Sequence, residues 1–280
     1  MKDDSCVGLL QWALPRLRMR WQGFHRVRHQ VCKRLSRRLA ELGLGNTEAY
    51  QAYLEAHTDE WAVLDTLCRV TVTRFYRDRQ VFAALTDRVL PGLAEAARER
   101  HRDLLRVWCA GCASGEEPYS LAIVWWLALA QRFPGLTLKI LGSDTDPRLL
   151  ARAEIACYSW GSVRNLPAPL LDAAFERDED RYCLNRELKA AVHWVQDDLR
   201  APSVAGPFDL ICCRNLAFTY FDQALQSKVA QLLYDRLSPG GVLLLGVREH
   251  LPPEAPAMET LSERLALYRK PLQQVSAPSP

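Results

Sequence analysis

A turn of small residues set between an apolar run of strand length and a helix-forming stretch constrains this chain more than any other feature. Leu104-Leu-Arg-Val-Trp108 reads as a strand, and Cys109-Ala-Gly-Cys-Ala-Ser-Gly-Glu-Glu-Pro-Tyr-Ser-Leu-Ala122 then passes through Gly111 and Gly115 into a helix. Strand, glycine-bearing turn and helix in that order let backbone N–H groups and a helix N-terminus come close to a ligand. Glu116 and Glu117 stand where the helix should begin, so the turn suits a ligand carrying positive charge rather than a phosphate. A sulfonium nucleotide with a free ammonium group, S-adenosylmethionine, meets that requirement.

The apolar period changes along the chain. The first ninety residues read as helices: Leu35, Leu39 and Leu42 recur at helical spacing, Asn46 is placed to cap the next helix, and further helices are expected over 59–68 and 78–98. Beyond that, Leu104–Trp108, Leu138–Gly142, Phe208–Cys213 and Gly241–Gly246 are short apolar runs of strand length. Helical segments near 117–132, 147–156 and 222–237 separate several of them, the pattern of a parallel, doubly wound sheet. The expected class is α/β, with a small helical domain over 1–90, a sheet domain over 91–272 and a disordered tail over 273–280.

In such a sheet the ligand lies beyond the carboxyl ends of the strands, where the connections change direction. Asp144 follows the second strand, where a carboxylate can accept both hydroxyl hydrogens of a ribose. Asp198 follows the strand around His193 to Gln196 and could accept from an adenine amino group, and Asn215 follows Phe208–Cys213. Each alone is also what a turn or cap prefers; the turn of small residues and three polar strand ends together favour a nucleotide site.

Composition excludes other classes. A net charge of +3 does not demand a polyanionic partner, so no DNA is expected, and no segment approaches eighteen uninterrupted apolar residues, so no membrane insertion is expected. Nine scattered cysteines, an odd number, imply reduced thiols and a cytoplasmic setting rather than a disulfide framework. The Cys109/Cys112 spacing has no second pair or histidines to complete a metal site, and no metal is expected. Lys33, Arg34, Arg37 and Arg38 give the helix of Leu35, Leu39 and Leu42 a basic face; as a bare motif this is a solvated face, but beside a methyltransferase site it suits docking of an acidic protein helix.

Thr71-Val-Thr-Arg-Phe-Tyr-Arg-Asp78, Gly111-Cys-Ala-Ser-Gly-Glu-Glu-Pro-Tyr119, Ser143-Asp-Thr-Asp146, Cys213-Arg-Asn215 and Leu237-Ser-Pro-Gly-Gly241 occur in the order seen in CheR-type methyltransferases, and over roughly residues 15–270 the chain resembles that family. The resemblance implies an S-adenosylmethionine-dependent enzyme that methylates glutamate side chains of chemoreceptors. Its fold would be a Rossmann-like methyltransferase sheet with a helical N-terminal domain and a short β-subdomain inserted near 157–195. It implies Thr71, Thr73 and Arg77 near the cofactor, Gly111 in the turn, and one of Glu116 and Glu117 at the cofactor's amino group. Asp144 would lie at the ribose and Asp198, Leu199, Asn215 and Leu216 around the adenosine, with Arg77 also at the substrate carboxylate and Tyr220 as a hydroxyl donor.

The chain departs from the family pattern where Asn215-Leu-Ala-Phe-Thr-Tyr-Phe-Asp222 carries one extra residue before its tyrosine, where Gly246-Val-Arg-Glu249 replaces Gly-His-Ser-Glu, and where Thr71 replaces an asparagine. Protein-glutamate methylation is therefore the leading expectation. Methylation of a small carboxylate or RNA on the same scaffold, or a catalytically inactive cofactor-binding scaffold protein, are the alternatives.

Overall fold

The computed structural model describes residues 3–272; the expected disordered tail at 273–280 lies outside them. The chain begins with α1 (Asp3–Ala13), α2 (Trp21–Phe24), α3 (Arg28–Glu41), α4 (Thr47–Ala56) and α5 (Glu60–Cys68). The apolar stripe of α3 buries Val31, Leu35 and Leu39, and the Asn46 side chain caps α4 by accepting the Ala49 N–H at 2.8 Å. A nearly continuous helical run follows, α6 (Arg79–Ala84) and α7 (Leu90–Glu99) joined through one wide turn at Leu85–Val89.

The alternating part is β1 (Leu104–Ala110), α8 (Glu116–Val124), β2 (Thr137–Asp144), α9 (Pro147–Ile155), β3 (Cys157–Ser159), α10 (Trp160–Val163), α11 (Ala168–Ala174), β4 (Phe175–Asp178), β5 (Arg181–Leu184), α12 (Arg186–Ala190), β6 (Val192–Gln196), β7 (Phe208–Cys213), α13 (Ala217–Tyr220), α14 (Gln223–Arg236), β8 (Leu237–Leu245), β9 (Glu259–Ser262) and β10 (Leu267–Arg269). Seven strands form one sheet in the order β6-β2-β1-β7-β8-β10-β9. The first four pairings in that order are parallel, while β10 runs antiparallel to both neighbours. The chain moves outward from β1 through β2 to β6 and then returns to β7 on the other side of β1. That reversal opens the crevice beyond β1 and β7.

Two compact units result. One is the chain up to Val72 together with Leu216–Gln226; the other is Thr73–Asn215 with the chain from Ser227 on. Residues 79–90, expected in the N-terminal helical domain, belong to the sheet unit together with the rest of their helical run, because Val81, Phe82, Leu85 and Leu90 are buried in the same core as the strands. The expected insert is present as a separate sheet, β3-β5-β4. It closes at Leu184, and Val192–Gln196 is an edge strand of the main sheet instead.

The expectation that all nine cysteines are reduced is corrected. Cys6 is bonded to Cys32, and Cys157 to Cys183. The second pair sits directly opposite on β3 and β5, and each pair is 26 residues apart in sequence. Strand register and helix packing bring the partners together, which counting spacings does not show. Cys68, Cys109, Cys112, Cys212 and Cys213 are free and buried.

Candidate cofactor and acceptor site

The turn after β1 is held from the neighbouring strand. Gly111 and Cys112 donate their N–H groups to the Ser143 carbonyl at 2.8 and 2.9 Å. The Asp144 carboxylate accepts from the Ala113 N–H at 2.9 Å and the Asp146 N–H at 3.0 Å. These two bonds orient the Asp144 carboxylate, a group with about four acceptor positions in all. Gly115 starts α8 at φ +89°, and a Cβ there would lie 2.9 Å from both Ala153 and Trp194. Backbone conformation and close packing both require glycine at that point.

The adjacent glutamates have different partners. Glu116 is buried and accepts from the Ser114 hydroxyl at 2.9 and 3.1 Å and the Ser162 hydroxyl at 3.4 Å, with the Thr73 hydroxyl a further partner. Burial pushes its carboxyl above the usual range, and the hydroxyl hydrogen bonds offset this only in part. Glu117 is bonded to Arg214 Nη1 at 2.7 Å. Arg214 also reaches Asp78 through Nη2 at 2.6 Å, and its side chain is 3% exposed. Burial by itself would lower the Arg214 pKa; Glu117 and Asp78 outweigh that and raise it. One guanidinium thus ties the end of β7, the start of α8 and the 73–78 segment together.

That segment carries Arg77 between two residues in the left-handed region, Tyr76 (φ 54°) and Asp78 (φ 62°), conformations that non-glycine residues adopt only under surrounding constraint. The constraint is visible: Phe75 N–H bonds the Ser162 carbonyl at 3.0 Å, and Tyr76 N–H bonds the Ser120 hydroxyl at 3.0 Å. Arg77 donates through Nη2 to Asn215 Oδ1 at 3.2 Å.

Of the residues expected from the sequence, Thr73, Arg77, Gly111, Glu116, Glu117, Asp144, Asp198, Leu199 and Asn215 lie in the sheet unit, while Thr71, Leu216 and Tyr220 belong to the helical unit. Leu199 is buried. Asp198 is held by Arg200, whose Nη2 approaches to 2.7 Å. In the helical unit, Tyr220 ends α13 and packs its ring on Phe24, centroids 4.9 Å apart. The missed residues are Arg214, Ser114, Ser120 and Ser162. Arg214 lies in the Cys213-Arg-Asn215 run, where the sequence alone does not show the two carboxylates it meets.

Among the described residues, Cys109, Cys212 and Glu117 bring donor atoms within 4.8 Å of one another. Burial and the hydrogen bond to Cys212 push the Cys109 thiol well up, and Glu117 is already bonded to Arg214.

The residues fit S-adenosylmethionine. Asn215 Nδ2 is a buried donor without a partner, a cost that an acceptor on a nucleoside would remove. A doubly wound sheet with this turn, a carboxylate ending β2 and a polar residue after β7 defines the class of S-adenosylmethionine-dependent methyltransferases. The comparisons with known proteins go further. The family description "CheR methyltransferase, SAM binding domain" matches residues 71–266. Chemotaxis protein methyltransferase 2 of Vibrio cholerae is 32% identical over 233 residues, 80% of this chain and 78% of that protein. Chemotaxis protein methyltransferase 2 of Pseudomonas aeruginosa is 34% identical over 226 residues, 79% and 78% of the two chains. The chemotaxis protein methyltransferase of Salmonella typhimurium is 34% identical over 231 residues, 80% and 76%. This chain belongs to the CheR methyltransferase family and is an S-adenosylmethionine-dependent methyltransferase.

Proposed function

We propose that this enzyme esterifies glutamate side chains of a chemoreceptor or a related signalling protein. The observation that carries the reading is Arg77, placed between two left-handed residues with one N–H on Asn215. A guanidinium has five donors in a planar fork whose geometry matches a carboxylate with two parallel hydrogen bonds.

A glutamate acceptor has a reference pKa of about 4.3 and is ionised at neutral pH, so no general base is required. When bound, the cofactor supplies an electrophilic methyl carbon on a sulfonium. Arg77 has to align the acceptor without quenching its negative charge, and alignment of this kind accounts for much of the acceleration where little proton transfer is needed. Tyr220 is assigned a single hydrogen bond to the acceptor.

For the cofactor, Glu116 is the better partner of the ammonium group, because its carboxylate accepts from hydroxyls and its own backbone N–H and feels Arg152 only through space, whereas Glu117 is bonded directly to a guanidinium. Asp144 is assigned to the ribose, Gly111 to the turn beneath it, and Asn215, Asp198, Leu199 and Leu216 to the adenosine. Thr71 and Thr73 complete the methionine end.

The basic face of α3 divides. Arg34 and Arg38 have partners within their own unit, so Lys33 and Arg37, both exposed, are the residues assigned to docking an acidic helix. No helix among the described residues is long and apolar enough to cross a membrane, and the cytoplasmic setting expected from the sequence goes with this reading.

The test is transfer of labelled methyl from S-adenosylmethionine to an acidic receptor protein, followed by mild alkali. Label released as methanol supports a glutamyl ester. Label that survives alkali, or that enters RNA, would replace this reading with another acceptor, and no transfer at all would leave a scaffold protein.

A further inference from the structure

We infer that Glu249 is a positioning residue for methyl transfer, acting on Arg77 through Asn215; the inference rests on the reading of Arg77 as the holder of the acceptor carboxylate. Glu249 is 3% exposed. Its Oε2 accepts two backbone N–H groups, from Asn215 at 2.6 Å and from Gly246 at 2.7 Å. Its own N–H donates to the Gly246 carbonyl at 2.7 Å.

These bonds matter because of where Asn215 sits. Its φ is +56°, a left-handed conformation that side chains other than glycine keep only where their surroundings hold it, asparagine being among the more tolerant. A carboxylate bonded to its N–H is such a hold, since hydrogen bonds to a charged group are stronger than neutral ones. With the backbone fixed, the Asn215 side chain presents Oδ1 to Arg77 Nη2 at 3.2 Å. Arginine only donates, so the amide atom facing it is the oxygen, which fixes the amide orientation. Glu249 also only accepts, and takes the backbone N–H without competing for that oxygen.

Gly246 completes the arrangement by having no side chain. A Cβ there would lie 2.7 Å from Glu249 Oε2 and 3.0 Å from Asn215 Oδ1, so any other residue would have to push apart the two groups that the relay connects. Glu249 stands 172 positions beyond Arg77 in the sequence and reaches it through one intermediate residue. A clamp that only joined the ends of β7 and β8 would use the same two N–H bonds; it would have no reason to affect how Arg77 works.

The experiment is a double-mutant cycle between Glu249 and Arg77, read as kcat and KM for the protein substrate, with melting temperature and S-adenosylhomocysteine affinity recorded for each variant. Glu249→Ala should lower kcat at least tenfold in a folded protein, and Glu249→Gln should recover most of the loss because its carbonyl oxygen can accept the same two N–H groups. In an Arg77→Lys background, Glu249→Ala should cost less than about threefold more, since a lysine cannot use the positioned fork. Equal losses in both backgrounds, or an unchanged kcat in folded Glu249→Ala, would overturn the inference. Should Glu249→Ala fail to fold, Gly246→Ala displaces the carboxylate without removing it and should show the same dependence on Arg77; equal losses there count equally against it. Full activity of Arg77→Ala and Arg77→Lys on their own would instead refute the reading of Arg77, independently of any Glu249 result.

Discussion

The basic face of α3 and the arginine cluster beyond β7 contain the same side chain under opposite conditions. On α3, Arg34 Nη1 gives its hydrogens to the carbonyls of Leu67, at 3.1 Å, and Arg69, at the C-terminal end of α5, where a helix favours a cation. Arg38 meets buried Glu60 at 2.7 and 2.9 Å, and Tyr50 bonds the same carboxylate at 2.8 Å. Beyond β7, Arg214 is more deeply buried than either, yet its two carboxylates belong to segments that build the site. A run of basic residues therefore says little about a binding face until the charges engaged inside the fold are subtracted.

Five experiments press on that contrast. The largest expected effect is at Arg77: replacement by alanine should lower kcat/KM at least a hundredfold, about 3 kcal/mol, and lysine should rescue it poorly. Tyr220→Phe should cost less, since it removes one hydrogen bond; if Thr219→Val is damaging while Tyr220→Phe is neutral, the extra residue before Tyr220 has moved the functional side chain. Asp144→Ala should weaken S-adenosylhomocysteine binding by roughly 1.5–3 kcal/mol, measured by calorimetry, and unchanged affinity in a folded variant would remove Asp144 from the site.

Arg38→Leu should destabilise the protein by about 2 kcal/mol at neutral pH, because it leaves a buried carboxylate without its cation. Burial pushes the Glu60 carboxyl up, but its bonds to Arg38 and Tyr50 outweigh this and hold it below the ordinary value. That stabilisation is present above the unfolded pKa and is lost as pH falls. The gap between wild type and Arg38→Leu should therefore narrow in acid, and a gap that widens would contradict the structural role of Arg38. The smallest effect is expected for Lys33→Glu with Arg37→Glu. Arg37 is 74% exposed and its contact with Glu41 is long, 3.7 Å, so stability should barely change. KM for the protein substrate should rise severalfold, and the wild-type KM should rise with salt. Identical kinetics would make α3 a solvated face.

The strands that position the site were legible because β1, β2 and β7 are short apolar runs, the first leading into a turn of small residues and the other two ending at polar residues. The β9 and β10 pair was not, since Glu259-Thr-Leu-Ser262 and Leu267-Tyr-Arg269 are too short and too mixed to show a period. The Pro252, Pro253 and Pro256 stretch before them reads only as loop. At the site, residue types at strand ends pointed to Asp144 and Asn215. The partners of Glu116 and Arg214 could not be read, because Ser162 and Asp78 are brought to them by tertiary packing from distant positions. The same holds for the bonded cysteines, brought together by strand register in one pair and by helix packing in the other.

The burial of Glu116 among hydroxyls has a calorimetric consequence. Burial raises the Glu116 pKa in the free protein, and on the proposed pairing an ammonium group arriving beside it favours the ionised form. Cofactor uptake should therefore expel protons into the medium, so the heat of binding will vary with the ionisation enthalpy of the buffer while the affinity, at fixed pH, will not. Repeating one titration in phosphate and in Tris would count those protons. In Glu116→Gln the two buffers should give the same heat.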